Sequence, residues 1–311
     1  MTTALKGKDI LHVKDLKLEH ISLIMETAAR YENVLASGGR LTNMAGKVLA
    51  TLFYEPSTRT RLSFETAMLR LGGQVLSVAE AKTSSSAAKG ETLFDTGKMI
   101  EGYADVAVIR HPVVGSAAEM AEGASIPVIN GGDGAGQHPT QSLLDVYTIQ
   151  KEKGRLLNLT VTLAGDLKNG RTVHSLSWVL GKYGPRFYFV SPEELRMPEE
   201  ITKALRQDGI EVIETSNMEE AVAKSDVLYM TRIQKERFTD PAEYERLKGS
   251  YVVTLDLVKK AKSGITIMHP LPRVDEIAKE VDDYEGAAYF RQASNGVPVR
   301  MALLALVTGS E

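Results

Sequence analysis

Short β-prone apolar runs alternate with longer amphipathic runs along this chain, and that rhythm constrains the fold more than any other feature. "KVLATLFYE" (47–55) reads as a strand and the stretch after Pro56 as a helix. In that helix Phe64, Ala67, Met68 and Leu71 recur at i, i+3, i+4 and i+7, the spacing of one buried stripe. "GQVLSVA", "ADVAVIR" and "IPVIN" continue the series as strands. They are too continuously apolar for half-exposed hairpins and suit a parallel sheet covered on both faces. "NGGDGAGQHP" (130–139) then interrupts the pattern with a cluster of turn residues.

A helix follows in "TQSLLDVYTIQKEKG", with Leu143, Val146 and Tyr147 on one face. A second alternating series begins at "LTVTLAG" and runs through "RTVHSLSWVLGKYG", "RFYFVS", "ALRQDGIEVIE", "SDVLYMTR", "YVVTL" and "GITIMHP". "RMALLALVTG" reads as a terminal helix. The expected fold class is therefore α/β: two doubly wound domains, each a mostly parallel sheet flanked by helices. The length, 311 residues, accommodates two such domains.

Composition narrows the functions. Lysine and arginine number 37 against 40 acidic residues, a net charge of −3, so a nucleic-acid partner is not favoured and any cationic site must be local. The absence of cysteine excludes disulfides, thiol nucleophiles and cysteine zinc sites. "MTTALKGKDILHVKDL" scatters charges among its apolar residues and does not read as a signal peptide. No apolar run approaches the roughly 20 residues of a membrane span. The expectation is a cytoplasmic protein with no membrane partner.

"EPSTRTRLSFETA" (55–67) crowds Ser57, Thr58, Arg59, Thr60 and Arg61 at a predicted helix start. A solvated helix start prefers acids, because its dipole end is positive. A basic one, following a strand, fits an anion such as phosphate held by orphan N–H groups, with Ser57 as N-cap. The plainer alternative pairs these arginines with acids such as Glu55 or Glu65. "VIRHP" (108–112) puts Arg110 at a strand's C-terminal end, the edge where open α/β sheets bind ligands. In "QHPTQ" (137–141), Pro139 suits a first helical position, leaving His138 at the N-cap and Gln141 one turn in. A helix N-terminus disfavours imidazolium, so His138 reads either as a neutral donor to a carbonyl oxygen or simply as a cap. "AKTSSSAAKG" (81–90) reads as a loop carrying Lys89, a point charge for an anion. "GDLKNGR" (165–171) and "TRIQKERF" (231–238) bring Lys168, Arg171, Arg232, Gln234 and Arg237 to further strand ends. "MHPLPR" (268–273) stiffens a loop with two prolines and offers the carbonyls of Pro270 and Leu271 as fixed acceptors. The stretch at 55–67 is not a Walker loop, and the missing G-x-G-x-x-G fingerprint argues against a dinucleotide oxidoreductase. A phosphate site beside a carbonyl donor, with arginines suited to a dicarboxylate, fits group transfer from a phosphorylated acyl donor to an acidic acceptor.

In this order, "STRTR", "RHP", "HPTQ", "GDLKNGRTVHSL", "TRIQKER" and "HPLPR" resemble the aspartate/ornithine transcarbamylase family, along essentially the whole chain. "RIQKER" and "HPLPR" resemble its aspartate branch; ornithine enzymes typically carry a cysteine in the latter loop. The resemblance implies transfer of a carbamoyl group from carbamoyl phosphate to L-aspartate, with no metal or organic cofactor. It implies that Ser57, Thr58, Arg59, Thr60 and Arg110 hold phosphate, and that Thr60, Arg110 and His138 polarise the carbonyl. Gln141 and the Pro270 and Leu271 carbonyls, in the loop shaped by Pro272, would hold the carbamoyl nitrogen. Arg171, Arg232 and Gln234 would bind the acceptor's carboxylates, aided by Lys89 and Leu271. Ser85 and Lys89 would enter from a neighbouring subunit of a homotrimer, and regulatory chains are conceivable partners. The domains expected are 1–137 for carbamoyl phosphate and 150–291 for aspartate, joined by a helix at about 139–150, with a terminal helix at about 292–311 packed back on the first. The sequence departs from many relatives in having Ala88 before the single Lys89, and Asn169 where tyrosine is common. That tyrosine helps some relatives hold the loop that here spans 235–248. Competing readings are a transcarbamylase with another amino acceptor and an inactive homologue serving as a scaffold.

Overall fold

The computed structural model describes residues 4–81, 89–233, 238 and 240–311. The chain forms two compact units, one of residues 1–144 with 295–311, the other of residues 145–294. No helix among the described residues is long and apolar enough to cross a membrane.

In the first unit, helix α1 (Leu18–Ala36) buries Ile21, Ile24, Met25, Ala28 and Tyr31 on one stripe. The α/β series follows as β1 (Val48–Phe53), α2 (Thr58–Arg70), β2 (Gln74–Ala79), α3 (Leu93–Ile100), β3 (Val106–His111), α4 (Ser116–Gly123) and β4 (Val128–Asp133). The four strands are parallel, in the order β2-β1-β3-β4. Successive strands leave β1 first on one side and then on the other. The order therefore reverses between β1 and β3, which is where such sheets open a ligand crevice. Phe64, Ala67 and Met68 are fully buried on α2, and Leu71 just beyond its end, as the stripe predicts. Burial of the Phe64 ring alone contributes about 2–3 kcal/mol.

The second unit repeats the plan: β5 (Thr160–Ala164), α6 (Arg171–Gly181), β6 (Arg186–Val190), α7 (Glu199–Gln207), β7 (Glu211–Thr215), α8 (Met218–Val222), β8 (Val227–Met230), α9 (Pro241–Leu247), α10 (Leu255–Lys260) and β9 (Thr266–Met268). Its parallel order is β7-β6-β5-β8-β9, so here the reversal falls between β5 and β8. Tyr188 and Val190 of β6, Leu228 and Met230 of β8 and Ile267 of the edge strand β9 pack with Ala221 and Val222 of α8.

The chain leaves the first unit within α5 (Pro139–Lys153) and returns to it within α11 (Tyr289–Thr308). α11 contains Pro298, which has no N–H to donate to the Ser294 carbonyl one turn back.

Three sequence expectations differ in detail. β2 is an edge strand with largely exposed residues, Leu76 among them, rather than a strand covered on both faces. "YVVTL" forms no strand: Val253 makes an isolated bridge to Ile277, and Thr254 caps α10 by accepting from the Leu257 N–H. The terminal helix starts at Tyr289, earlier than its apolar run, because its first turns carry polar residues.

Candidate active site

In the first unit, the turn from β1 to α2 places Ser57 at the N-cap, where its side chain makes no capping bond. The first turn of α2 also contains no acidic residue. The orphan N–H groups and the positive dipole end are thus left to an outside anion. Thr60 is buried, while Thr58 and Arg59 face solvent. Arg59 has no carboxylate partner among the described residues, and partial desolvation pulls its guanidinium below the usual arginine value. It remains charged at neutral pH.

Arg110, the penultimate residue of β3, lies opposite Phe53 of β1. Its carbonyl accepts from the Tyr54 N–H at 2.8 Å, which pins the arginine beside the α2 turn. Its guanidinium pairs with Glu55 at 2.7 Å and donates to the Gly131 carbonyl at 3.3 Å. Arg61 lies 3.7 Å from Glu65. The ion-pair alternative thus describes Arg61, and Arg110 also has a carboxylate partner, whereas Arg59 has none among the described residues.

His138 is presented by the loop that closes β4. Buried Asp133 accepts from the backbone N–H groups of Gly115 (2.9 Å) and Gln137 (2.6 Å). Asn130 accepts from the Gly132 N–H at 2.7 Å. At Gly134 (φ +52°) an added Cβ would lie 2.3 Å from the Pro112 carbonyl oxygen, so the backbones can approach only with glycine there. α5 begins at Pro139 as expected, and buried His138 accepts from the N–H groups of Gln141 and Ser142 through its carbonyl. Beneath this helix start, buried Arg300 of α11 donates to Thr140 at 3.2 Å and stacks 5.0 Å from the Phe64 ring. Ser57, Thr58, Arg59, Thr60, Arg110, His138 and Gln141 therefore share the C-terminal edge of one sheet. Lys89 is exposed. Ser85 lies outside the described residues.

In the second unit, Gly165 follows β5 with φ +108°, and Thr231 follows β8. Thr231 binds the Ala164 carbonyl through both its N–H (2.8 Å) and its Oγ1 (3.0 Å). A Cβ on Gly165 would fall 2.2 Å from the Thr231 carbonyl oxygen. This backbone contact sets the loops carrying Arg171 and Arg232 side by side at the sheet's switch point. Buried Asp166 accepts from the Asn169 N–H and side-chain amide at 2.9–3.2 Å, turning Asn169 inward. His174 Nε2 lies 2.7 Å from the Leu167 carbonyl, and burial holds this imidazole below its ordinary pKa, so it is the neutral donor that braces the loop. Lys168 is exposed and Arg171 opens α6. Gln234 and Arg237 lie outside the described residues.

The loop after β9 contains Pro270, Leu271 and Pro272. Leu271 has φ +56°, and its bond to Pro272 is cis. Buried His269 accepts from the Leu271 N–H through Nδ1 at 2.8 Å and contacts Glu276 through Nε2 at 2.7 Å. Burial opposes ionisation of Glu276. The bonds from His269 and the backbone nevertheless hold its carboxyl below the usual range.

One sheet edge thus offers an uncapped, acid-free helix start beside a histidine, and the other offers two arginines beside backbone acceptors. This inventory suits electrostatic catalysis of acyl transfer, which needs no protein nucleophile. Among the described residues, no group of three His, Asp or Glu side chains is placed to hold a metal ion.

Comparison with known proteins matches residues 8–151 to the aspartate/ornithine carbamoyltransferase carbamoyl-phosphate binding domain, and residues 157–307 to the Asp/Orn binding domain of the same enzymes. The chain belongs to the aspartate/ornithine carbamoyltransferase family. It is 55% identical over 304 residues to the aspartate carbamoyltransferase catalytic subunit of Thermococcus kodakarensis, covering 98% of each chain. It is 53% identical to that of Methanopyrus kandleri, covering 97% of this chain and 98% of the other. Among solved structures, Trypanosoma cruzi aspartate transcarbamoylase in complex with carbamoyl phosphate and aspartate aligns at a TM-score of 0.93 and 39% identity, over 98% of both chains. The catalytic subunit of M. jannaschii aspartate transcarbamoylase aligns at a TM-score of 0.90 and 51% identity, over 96% of this chain and 97% of the other.

Sequence reasoning passed over the residues that brace these loops: Asp133, Asp166, His174, His269 and Glu276. The histidines stood inside quoted motifs. Their partners Leu167 and Glu276 each lie seven residues away, and Gln292 lies 23 from His269, spacings that carry no local signature.

Proposed function

We propose that this chain transfers the carbamoyl group of carbamoyl phosphate to the α-amino group of L-aspartate, giving N-carbamoyl-L-aspartate and phosphate for pyrimidine synthesis. The observation that carries this reading is the pair of arginines, Arg171 and Arg232, at the β5/β8 switch point, in a chain whose other sheet edge holds an uncapped, acid-free helix start. Two guanidinium groups match the two carboxylates of the acceptor.

In this reading residues 1–137 bind carbamoyl phosphate and residues 150–291 bind aspartate. The α2 start, Arg59 and Arg110 hold the phosphate, and Arg110 exchanges Glu55 for it. Thr60, Arg110 and His138 donate to the carbonyl oxygen as the amine attacks, where oriented donors are each worth about 10²–10³ in rate. Gln141 and the carbonyls of Pro270 and Leu271 accept from the carbamoyl NH₂. The new C–N bond forms as the C–O bond to phosphate breaks, and the departing phosphate takes the amine proton. Arg171, Arg232 and Gln234 hold the carboxylates. Ser85 and Lys89 complete the site of a neighbouring subunit in a homotrimer, consistent with the exposure of Lys89. The cytoplasm is the proposed location. The term "catalytic subunit" carried by the curated relatives supports regulatory chains as partners.

Phosphate release from carbamoyl phosphate is the test. It is expected to depend on L-aspartate and to be negligible with L-ornithine. Turnover that prefers ornithine, or release indifferent to any acceptor, would refute the assignment.

A further inference from the structure

Residues 269–276 contain a buried polar chain that the reaction itself does not use. The His269 N–H donates to Gln292 Oε1 at 2.9 Å, and Gln292 Nε2 donates in turn to Asp145 at 2.7 Å. Asp145 also accepts from the Tyr229 hydroxyl at 2.8 Å. At the other end, Glu276 faces His269 Nε2 through one oxygen and accepts from the N–H groups of Val274 and Asp275 through the other. All five side chains lie in the unit of residues 145–294, and His269, Asp145 and Gln292 are at most 1% exposed.

The chain fixes one tautomer. An N–H cannot donate to a protonated nitrogen, so the bond from Leu271 leaves Nδ1 bare and places the proton on Nε2, facing the carboxylate. The consequence falls on the backbone. The peptide between Pro270 and Leu271 is trans, so its N–H and C=O point in opposite directions in one rigid plane. Anchoring the Leu271 N–H on Nδ1 therefore aims the Pro270 carbonyl away from the buried histidine. It also holds Leu271 at φ +56°, a left-handed conformation that an L-residue keeps only with such support. We infer that His269, fixed as its Nε2–H tautomer between Glu276 and Leu271, is a positioning residue that aims the Pro270 carbonyl at the carbamoyl NH₂. The inference rests on the proposed function of this loop.

Two amide variants separate the nitrogens. In His269→Asn, Oδ1 replaces Nδ1 as acceptor for Leu271. In His269→Gln, the terminal amide reaches toward Glu276 and Leu271 loses its anchor. Inorganic phosphate is the control ligand, since it has no NH₂ to meet a carbonyl. The expected result is that Gln weakens carbamoyl phosphate about tenfold and lowers kcat, with phosphate affinity unchanged. Asn should keep both within about threefold, even where its melting temperature falls. Equal losses in the two variants, or a Gln variant that weakens both ligands alike, would overturn the inference. Should a variant fail to fold, ¹⁵N imidazole spectra of the unsubstituted enzyme decide: a protonated Nδ1 on His269 overturns it, and protonation at Nε2 alone supports it. An unsubstituted enzyme that does not bind carbamoyl phosphate would instead refute the proposed function, and this inference with it.

Discussion

Replacing Gly165 by alanine perturbs the contact on which the acceptor half of the site is built. The new Cβ would stand 2.2 Å from the Thr231 carbonyl oxygen, where ordinary contact begins at 3.4 Å. The strand ends must therefore part by about 1 Å. Three costs add. An alanine held at φ +108° costs upward of about 1 kcal/mol. The two bonds from Thr231 to the Ala164 carbonyl, at 2.8 and 3.0 Å, are worth about 1 kcal/mol each. The total of about 3 kcal/mol corresponds to a fall in Tm of about 6–12 °C for a unit of this size. Arg171 and Arg232 ride on the displaced loops, and a misplacement of about 1 Å is expected to lower aspartate turnover about 100-fold. Phosphate affinity, set in the other unit, should not change. Gly184→Ala is the control: Gly184 has φ +63° but an added Cβ would meet nothing within 4 Å. It should lose only about 1 kcal/mol and keep normal aspartate kinetics. Calorimetry and steady-state assays read both quantities. If Gly165→Ala behaves like Gly184→Ala, close strand approach does not position the arginines.

His138→Ala should lower kcat about 100-fold with little change in Tm, as for loss of an oxyanion-type donor; near-normal turnover would remove His138 from the chemistry. Arg59→Ala and Lys89→Ala should each be almost inactive. Mixing the dissociated variants one to one should restore roughly a quarter of normal activity if a trimer shares its sites, because about three quarters of trimers are mixed and each then has one intact site in three. No recovery after verified mixing would exclude sharing. Burial lowers the folded-state pKa of His174, so the unfolded chain takes up this proton first. Stability should therefore fall as pH drops below about 6.5. His174→Gln, which can still donate to the Leu167 carbonyl, should shallow that fall, and an unchanged pH profile of urea unfolding would refute the assignment.

The parallel sheets were legible because β1, β3, β5 and β8 are short, apolar and β-prone with no regular polar alternation, and Phe64, Ala67 and Met68 mark a helix stripe without ambiguity. Chemistry was legible where residues of one kind crowd an element end, as at Ser57–Thr60. Edge position was not. Nothing in "GQVLSVA" distinguishes β2, which ends its sheet, from β3 inside it, because the difference lies in strand order. "YVVTL" has strand composition, but Val253 finds only one bridging partner and the chain turns into α10. The bracing network around His269 depends on a left-handed Leu271 and on Gln292, 23 residues away, and such geometry leaves no local pattern.

The groups assigned to the donor, apart from the loop at 269–272, are encoded in residues 1–144, and those assigned to the acceptor, apart from Lys89, in residues 145–294. Each set hangs on its own strand-order reversal. Donor chemistry and acceptor choice are therefore separately heritable. A mutation in the loops after β5 or β8 can try a new amine without disturbing the phosphate cradle, so a lineage can explore acceptors while its activated donor stays the same. Selection of a library varied only at 165–171 and 231–234 for use of another amino acid should yield enzymes with unaltered phosphate affinity. If every such gain is accompanied by weaker phosphate binding, the two specificities are not separable.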